Sequence, residues 1–487
     1  MERKAKIVAT IGPSCGDETR LSKLVEAGMN VARLNFSHGT HEEHAQRIIS
    51  LRKISKTLKC PITILQDLQG PKLRVGWLPE EGVTLSAGQM VELTNNPNIH
   101  LESIDIHSNN GLIKLPIDIP DLTHNLTDGK RILVDDGHLE LEIQSINQGN
   151  ILAKVVLGGK ITSHKGVNFP GVHLDIPGFT EKDHEDLVFG LDHDVDAIAI
   201  SFVRSAQDIK NLRQIIQSID PSKAAIPIIA KLELPEAIEN LHEIVHEADG
   251  VMVARGDLGV ETNPARVPIL QKEIIQFANR HDKTVITATQ MLDSMIHNPR
   301  PTRAEASDVA NAVFDGTDAV MLSGETASGE FPLESIMMMD GIVREAESFF
   351  SAWGSKNAFP EEPTQDDAIS TTRAAREFAH DRSVAAIAVF TQSGRTAVLM
   401  SKARPQVPIL AFTPEEKTYQ QMALLWGVTP FLVPIAKTVE EMIEIVDTSI
   451  IEWGLYKKGQ QVVMVTGFPV GALRPPNFAL LHTIGEE

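Results

Sequence analysis

Short apolar runs rich in β-branched residues alternate with amphipathic segments through most of the first 350 residues of the chain. Near-continuous apolar runs are typical of parallel strands that are covered on both faces. The segments between them, such as DETRLSKLVEAG and TEKDHEDLVFGLDHD, have the periodicity of surface helices. Eight such βα units favour a (β/α)₈ TIM barrel, an α/β fold, over a doubly wound sheet. The predicted strands are KIVATIG, NVARLNF, ITILQDL, DAIAISFV, IPIIAKLE, GVMVARGD, TVITATQ and DAVMLSG.

The series is interrupted once, after the third predicted strand. Residues 71–170 have almost no helical periodicity and contain short alternating runs such as DDGHLELEI and QGNILAKVVL, which predict an inserted all-β domain. An insertion at this point lies above the C-terminal mouth of the barrel, where barrel enzymes have their active sites. We therefore predict a small inserted β-barrel above the mouth.

A third region follows the barrel. The stretch AESFFSAWGSKNAFPEEPTQDD is acidic, contains proline and lacks periodicity, which indicates a linker. Four apolar runs after it, VAAIAVFT, VPILAFT, VTPFLVP and QVVMVTG, alternate with helical segments and predict a separate open-sheet α/β domain. The predicted units are a barrel from residues 1–70 and 171–345, an inserted domain at 71–170, a linker at 346–366 and a C-terminal domain at 367–487.

Composition narrows the possible partners. The chain has a net charge of −20 and a pI near 5.3. This negative charge would repel nucleic acid and anionic membranes. Two cysteines, Cys15 and Cys60, lack paired spacing, which suits a reducing compartment. The N-terminal MERKAKIVAT lacks the apolar core of a signal peptide. No segment approaches the ~20 uninterrupted apolar residues of a membrane span. We therefore expect a cytoplasmic protein.

Polar and charged side chains follow the predicted barrel strands at their C-terminal ends. Lys231 and Glu233 end one strand two residues apart, which puts both on the same face. Buried charges are costly unless they are paired or bound to an ion, so we expect these at a solvated rim. One such pair could be a rim salt bridge, whereas five strands with polar ends indicate an active site. The other groups at the predicted mouth are Arg33, Asn35, Ser37, Asp67, Asp257 and Thr289.

These residue types favour metal-assisted chemistry on an anionic substrate. Glu233 and Asp257 offer hard oxygen ligands that suit Mg²⁺. Lys231 can neutralise charge on a reacting phosphoryl or enolate oxygen, and the planar fork of Arg33 can bind a phosphate. The RGDLGVE stretch offers backbone N–H groups at a helix start to a carboxylate or phosphate. Spacing alone leaves phosphoryl transfer and metal-stabilised enolate formation both open.

Longer motifs narrow this choice. NVARLNFSHG, KLELPEAIEN, VMVARGDLGVE, ITATQMLDSM, PTRAEASDVANAV and DAVMLSGETASGEFP resemble the pyruvate kinase family. The resemblance runs from KIVATIGPS to the C-terminal region and covers essentially the whole chain. It implies transfer of a phosphoryl group from phosphoenolpyruvate to ADP, giving pyruvate and ATP in the last step of glycolysis. It also implies a Mg²⁺ cofactor and a homotetramer.

The resemblance implies a role for each residue at the mouth. Arg33 and Lys231 would bind the transferring phosphate, with Lys231 as the main cation in the transition state. Glu233 and Asp257 would hold Mg²⁺. The backbone amides of Gly256 and Asp257 would bind the substrate carboxylate.

The remaining catalytic assignments concern the proton and the nucleotide. The resemblance implies that Thr289 lies beside the enolate carbon and helps to deliver a proton through water. Arg74 and Lys165, at the two hinges of the inserted domain, match the family's cations on the ADP side, with plain hinge salt bridges as the alternative. The inserted domain would close as a lid that keeps water from the phosphoryl group.

A loop in the third region, TQSGRTA, follows a predicted strand and opens a helix. The hydroxyls of Thr391, Ser393 and Thr396, with Arg395 and backbone amides, would form a phosphate-binding site, and an ordinary helix cap is the alternative. In the family this loop binds sugar-phosphate effectors, so we expect a sugar-phosphate or nucleotide effector here.

The sequence departs from the family pattern at QDLQGPKLR. Many pyruvate kinases require K⁺ and have Thr and Glu where this chain has Leu68 and Lys72. Leu68 offers no side-chain oxygen, and Lys72 can supply a fixed positive charge in place of the ion. We therefore expect no K⁺ requirement. The alternative is that K⁺ binds at Asn35, Ser37 and Asp67 while Lys72 points to solvent.

Two other functions compete with this interpretation. A Mg²⁺-dependent aldolase-type lyase would share Glu233 and Asp257 but would not need a lid with Arg74 and Lys165. A non-catalytic sensor of phosphorylated metabolites, built on the C-terminal domain, would be expected to have lost the charges at the mouth, which are present here.

Overall fold

A computed structural model of the chain describes residues 3–94, 112–117, 126–147, 149–172, 177–354, 364–454, 456–472 and 474–486. The strands of this part, in chain order, are β1 (Lys6–Thr10), β2 (Val31–Asn35), β3 (Thr63–Asp67), β4 (Val83–Leu85), β5 (Met90–Thr94), β6 (Ile113–Pro116), β7 (Arg131–Val134), β8 (Leu139–Asn147), β9 (Asn150–Leu157), β10 (Gly159–Ile161), β11 (Val167–Asn168), β12 (Ala197–Ile200), β13 (Ile228–Leu232), β14 (Gly250–Ala254), β15 (Thr284–Ala288), β16 (Ala319–Leu322), β17 (Ala386–Phe390), β18 (Ile409–Thr413), β19 (Val428–Leu432), β20 (Gln461–Thr466) and β21 (Phe478–Thr483).

The α-helices of the same part are α1 (Glu18–Glu26), α2 (His41–Leu58), α3 (Glu181–Asp192), α4 (Ala206–Ile219), α5 (Pro235–Glu239), α6 (Leu241–Glu247), α7 (Arg255–Glu261), α8 (Val267–Arg280), α9 (Arg303–Asp315), α10 (Gly324–Ala327), α11 (Pro332–Ser348), α12 (Phe350–Trp353), α13 (Asp367–Asp381), α14 (Arg395–Lys402), α15 (Glu416–Gln421) and α16 (Val439–Glu452). Among these described residues, no helix combines the length and the apolar character needed to cross a bilayer.

Eight parallel strands close into a barrel in the order β1-β16-β15-β14-β13-β12-β3-β2. Their side chains are buried almost throughout, because strands covered by helices outside and packed side chains inside expose neither face. The (β/α)₈ fold expected from the apolar runs is confirmed. Because the strands are parallel, their C-terminal residues all meet at one mouth.

Local sequence signals determine where the helices between the strands begin. At the start of α2, the Thr40 hydroxyl accepts a hydrogen bond from the Glu43 backbone N–H, and Glu43 accepts one from the Thr40 N–H. This reciprocal capping box satisfies two backbone donors that the first turn of a helix leaves without partners. Thr180 and Asp183 form the same arrangement at α3.

The segment inserted after β3 is all-β in the described residues. Its strands form a six-stranded sheet in the order β11-β7-β8-β9-β5-β6 and a two-stranded sheet of β10 and β4. They enclose a hydrophobic core of their own. Closure of these strands into a small barrel stays a prediction, because residues 95–111 and 118–125 lie outside the described part.

The two connections between the barrel and the insert run side by side. Arg74, on the outgoing connection, pairs with Gly166 of the returning one in an antiparallel bridge. The backbone N–H of Val75 also donates to the carbonyl oxygen of Lys165 at 2.9 Å. The two hinges therefore form one narrow attachment above the mouth.

Helical structure continues further than the predicted end of the barrel. Helix α11 runs to Ser348 and α12 to Trp353, within the segment predicted as a linker at 346–366. Of that linker, residues 355–363 lie outside the described part.

The C-terminal region forms a five-stranded sheet in the order β19-β18-β17-β20-β21. The first four strands are parallel and were predicted, whereas β21 is antiparallel to β20 and was not predicted.

A buried ion cluster joins this domain to the barrel. Asp318 accepts hydrogen bonds from Lys402 and, at 2.7 Å, from the Nη2 atom of Arg404.

Candidate active site

A buried ion cluster occupies the mouth of the barrel around Lys231. The Nζ atom of Lys231 lies 3.0 Å from Oε1 of Glu233 and 3.2 Å from Oδ1 of Asp67. It also donates to the Ser201 hydroxyl at 2.6 Å. Arg33 donates from Nε to the other carboxylate oxygen of Asp67 at 2.6 Å. Two cations and two carboxylates from three different strands thus balance one another.

The cluster is more deeply buried than the sequence led us to expect. The side chain of Lys231 is 12% exposed, and those of Asp67 and Glu233 are 1% and 2% exposed. The prediction of a solvated rim was therefore wrong for Lys231 and Glu233. Because buried charges persist only when they are paired, their mutual pairing explains how an apolar strand can end in charged residues.

Burial and pairing act in opposite directions on the pKa values of the cluster. Burial would raise the pKa of Asp67, but the charges of Lys231 and Arg33 outweigh it and hold that pKa below its usual value. Burial would lower the pKa of Lys231, but Asp67 and Glu233 raise it, so the ammonium stays charged. Lys231 is therefore a permanent cation at neutral pH.

The expected metal ligands are Glu233, which directly follows β13, and Asp257, in the first turn of α7. The Phe202 N–H donates to Oε2 of Glu233 at 2.7 Å and orients this carboxylate. Burial raises the pKa of Glu233, and repulsion from Asp257 adds to the rise, although Lys231 opposes it. A divalent cation between the two carboxylates would remove that repulsion. This donor set of hard oxygens fits Mg²⁺.

The Thr289 backbone has a conformation unusual for a β-branched residue, with φ at +67°. Its hydroxyl accepts a hydrogen bond from the Gly256 N–H at 2.8 Å and lies 2.7 Å from the Ala288 carbonyl oxygen, to which it donates. Arg255 donates from Nη2 to the Thr289 carbonyl oxygen at 2.7 Å and pairs with Asp308. Sequence reasoning missed Arg255, although it lies directly beside the RGDLGVE glycine. Strain held in this way is common at functional sites.

The two hinge cations contact groups of the inserted domain. Arg74 donates to the His164 carbonyl oxygen at 2.9 Å, and Lys165 lies 2.7 Å from Oδ1 of Asp135. The hinge salt bridge considered as an alternative therefore exists for Lys165.

A cavity of ≈ 300 Å³ separates the insert from the barrel beside these hinges and is lined by residues that include Lys72 and Phe202.

Two of the residues expected to bind a monovalent ion, Asn35 and Asp67, contact protein groups through their side-chain oxygens. Asn35 accepts a hydrogen bond from the Ser37 N–H at 3.2 Å. Both carboxylate oxygens of Asp67 contact the cations of the mouth cluster. Leu68 is buried in the barrel core. Lys72 extends toward Asp257 rather than to this group, with 2.8 Å between Nζ and Oδ1.

The TQSGRTA loop lines a cavity of ≈ 380 Å³ in the C-terminal domain, and Thr391, Ser393, Arg395 and Thr396 all border it. The Thr391 hydroxyl accepts a hydrogen bond from the Gly394 N–H at 2.9 Å. Helix α14 begins directly after Gly394, which has no side chain with which to cap it. Arg474, which sequence reasoning missed, also lines this cavity.

The fold and the mouth together define a class of protein: a (β/α)₈ barrel with carboxylates and fixed cations gathered at the end where barrel enzymes have their active sites. Two family models match the chain, "Pyruvate kinase, barrel domain" over residues 2–336 and "Pyruvate kinase, alpha/beta domain" over residues 369–482. The chain belongs to the pyruvate kinase family and is a phosphotransferase.

Relatives and solved structures agree with this assignment. The chain is 41% identical over 491 residues to a pyruvate kinase of Geobacillus stearothermophilus, an alignment that covers 100% of this chain and 81% of that protein. It is 42% identical over 489 residues to a pyruvate kinase of Staphylococcus epidermidis, with the same coverage. The crystal structure of a pyruvate kinase from Cryptosporidium parvum has a TM-score of 0.88, with 34% identity over 99% of this chain and 96% of that one.

Proposed function

We propose that this chain transfers the phosphoryl group of phosphoenolpyruvate to ADP, giving pyruvate and ATP, with Mg²⁺ as cofactor. The observation that carries the proposal is the buried cluster in which Asp67 and Glu233 fix Lys231, while Asp257 lies close enough to Glu233 to repel its carboxylate. Phosphoryl-transfer enzymes accelerate the reaction mainly through preorganised charge of this kind, because the protein itself takes little part in the covalent chemistry.

In the proposed step, the bond between phosphorus and the enol oxygen breaks as a bond forms to a β-phosphate oxygen of ADP. The electron pair of the broken bond remains on the enol oxygen. Lys231 stabilises the negative charge of the transferring group, and its place is fixed by three contacts. Arg33, held by Asp67 and by the Thr10 hydroxyl at 2.9 Å, binds a phosphate oxygen.

Glu233 and Asp257 would hold Mg²⁺, which supplies positive charge to the substrate oxygens when it is bound. The backbone amides of Gly256 and Asp257 bind the substrate carboxylate. The Gly256 amide donates to Thr289 in the free enzyme, so substrate would have to replace this contact.

A proton must then reach the enolate carbon to complete pyruvate. Thr289 helps to deliver it, through water. The contact from Arg255 to the Thr289 carbonyl oxygen, and the one from the Gly256 amide to the Thr289 hydroxyl, keep this residue at the mouth. Arg255 acts here as a positioning residue.

The inserted domain serves as the lid over this chemistry. Arg74 and Lys165 lie at its narrow attachment and provide positive charge for ADP. For Lys165 this requires exchange of its contact with Asp135 for a nucleotide phosphate. Closure excludes water, which would otherwise hydrolyse the phosphoryl group.

The chain has no K⁺ requirement under this proposal. Asp67 is already paired with two internal cations, Lys231 and Arg33. Lys72 supplies, next to Asp257, the fixed positive charge that a monovalent ion would bring. Asn35 and Ser37 then have a local structural role.

The C-terminal cavity bordered by Arg395 binds a sugar-phosphate or nucleotide effector, and the enzyme is a cytoplasmic homotetramer. The volume of the cavity, ≈ 380 Å³, and the arginines that line it support effector binding. Exposed apolar side chains such as Trp353 and Phe378 are suited to a subunit interface. The free thiols of Cys15 and Cys60 are compatible with a reducing cytoplasm.

A coupled assay for pyruvate tests the central proposal. With phosphoenolpyruvate and Mg²⁺, pyruvate release should require ADP and should stop when Mg²⁺ is chelated. ATP should appear in equal amount. Pyruvate release at the same rate without ADP would contradict the proposal and would favour the lyase alternative.

A further inference from the structure

Three histidines lie together on the outer surface of the barrel. His242 and His246 are one turn apart on α6, and His281 directly follows α8. Ring centroids lie 4.6 Å apart for His242 and His246, and 4.8 Å apart for His246 and His281. Each histidine can offer a ring nitrogen such that all three nitrogens lie within 4.8 Å of one another.

The orientation of His281 leaves its Nε2 atom available to bind a metal ion. Its Nδ1 atom lies 2.8 Å from the Phe277 carbonyl oxygen, which can only accept a hydrogen bond. Nδ1 must therefore carry the proton, and Nε2 has the free lone pair. The Phe277 ring also packs on the His281 ring, with 4.2 Å between centroids. Histidines that bind metals are commonly oriented by such a contact to a backbone carbonyl.

One imidazole of the cluster, that of His246, is favoured in the neutral form that binds metals. Burial lowers the pKa of His246, and the neighbouring His281, His242 and Lys283 add to this lowering. The Lys283 ammonium is tied to the end of α6, where it donates to the carbonyl oxygens of His246 at 3.2 Å and Ala248 at 2.7 Å. Neutral imidazoles do not need to release a proton before they coordinate a metal.

We propose that His242, His246 and His281 form a three-nitrogen site for a transition-metal ion such as Zn²⁺, with water completing the coordination. Zn–N distances of about 2.0–2.1 Å in a tetrahedral site require nitrogens about 3.3 Å apart. Rotation of the exposed His242 and His246 side chains supplies this small approach. The site would discriminate against Mg²⁺, which prefers oxygen ligands.

The position of the cluster separates it from the proposed reaction. Helices α6 and α8 directly precede β14 and β15, so His246 and His281 lie near the N-terminal ends of barrel strands, opposite the mouth. A metal here would connect two neighbouring helices. Its expected effect is on stability, because a ligand that binds only the folded state raises the unfolding midpoint.

Calorimetric titration of the untagged full-length protein with Zn²⁺ tests the proposal. Excess Mg²⁺ is present throughout, so that the carboxylates at the mouth are occupied. We expect one Zn²⁺ per chain, at least a tenfold loss of affinity in His242→Ala, His246→Ala and His281→Ala, and no change in His380→Ala, an exposed histidine of the C-terminal domain. Zinc should raise the thermal midpoint of the wild type but not that of the triple variant.

A spectroscopic measurement on the wild type gives an answer that does not depend on how the variants fold. Bound Cu²⁺ should show electron paramagnetic resonance splitting from several imidazole nitrogens. Oxygen-only Cu²⁺ spectra, an absence of Zn²⁺ binding by the wild type, or equal binding by the triple variant would each overturn the proposal. Since catalysis does not pass through these residues, failure here would leave the phosphotransferase activity untouched.

Discussion

The ammonium of Lys72 lies 2.8 Å from the Oδ1 atom of Asp257. Lys72 stands at the start of the inserted domain, whereas Asp257 stands at the rim of the barrel, so the contact joins the hinge of the inserted domain to a proposed metal ligand. Both side chains are about one-fifth exposed, at 21% and 19%. The alternative in which Lys72 points freely to solvent does not describe this arrangement.

We predict that turnover is nearly equal in sodium, potassium and tetramethylammonium buffers of the same ionic strength. Lys72→Glu should create a K⁺ requirement, because it replaces a fixed cation beside Asp257 with a second carboxylate. The requirement should be clearest with Leu68→Thr added, since threonine offers an oxygen ligand. Initial rates against K⁺ concentration measure the effect.

Lys160→Glu, at an exposed position of the inserted domain, is the matched control and should stay indifferent to K⁺. Activation of the wild type by K⁺ of tenfold or more would contradict the role given to Lys72. If the rate of the double variant, Lys72→Glu with Leu68→Thr, remains independent of K⁺, that result would also contradict the role given to Lys72.

Lys231→Met should lower kcat by orders of magnitude with little change in KM, because the charge it stabilises grows only in the transition state. It should also cost about 3–5 kcal/mol of stability, since Asp67 and Glu233 would stay buried without their cation. Steady-state kinetics and urea unfolding measure the two effects.

Two further variants separate catalysis from folding. Lys231→Arg keeps the charge and should recover much of the stability but little of the rate, because a planar guanidinium differs in shape. Lys210→Met, on the surface of α4, should change stability by no more than about 0.5 kcal/mol. Near-full kcat in Lys231→Met would refute the assignment.

The kcat/KM of the enzyme should fall as the pH is lowered, because Glu233 becomes protonated. The pH at which this fall occurs should depend on the Mg²⁺ concentration. Burial raises the pKa of Glu233 above its ordinary 4.5, so its carboxylate takes up a proton at a higher pH than an exposed one. Protons and Mg²⁺ compete for the same oxygens. Raising the Mg²⁺ concentration should therefore move the acid limb of the kcat/KM profile to lower pH.

Profiles recorded at limiting and saturating Mg²⁺ provide the comparison. Glu239→Gln, an exposed carboxylate nearby, should retain the Mg²⁺-dependent shift. An acid limb that stays at one pH across Mg²⁺ concentrations would remove Glu233 from the proposed metal site.

Asp318→Asn should strongly weaken the attachment of the C-terminal domain to the barrel. It would leave Lys402 and Arg404 buried side by side without their shared carboxylate, at a cost of about 3–5 kcal/mol. Lys402→Met should cost less, because the pair of Asp318 and Arg404 remains. Urea unfolding that shows the opposite ranking of the two variants would argue against this account.

Arg395→Ala should leave basal activity unchanged and abolish the response to a phosphorylated effector. Arg395 borders the C-terminal cavity and is held only at the surface by Asp366, at 3.3 Å, so it is available to a ligand. Rates are measured against fructose bisphosphate, glucose 6-phosphate and AMP. The exposed Arg382→Ala is the control, and an unaltered effector titration in Arg395→Ala would count against the site.

The sequence by itself determined the barrel and most of its mouth. Continuous apolar runs identify strands covered on both faces, and parallel strands must end at the same rim, so Glu233 and Asp257 had to lie near each other. The same logic predicted four of the five C-terminal strands. It missed β21, because FALLHT lacks an extended apolar run and pairs antiparallel at the edge.

Only the tertiary structure decided which charged side chains pair with each other and how deeply they are buried. Periodicity tells which face a side chain occupies, but the partner of Lys72 depends on how an inserted domain folds back over the barrel. Burial of Lys231 follows from closure of the barrel around it. His246 and His281 come from different helices, and Arg255 contacts a loop that follows the next strand. Such contacts arise from packing between distant segments, which local pattern does not encode.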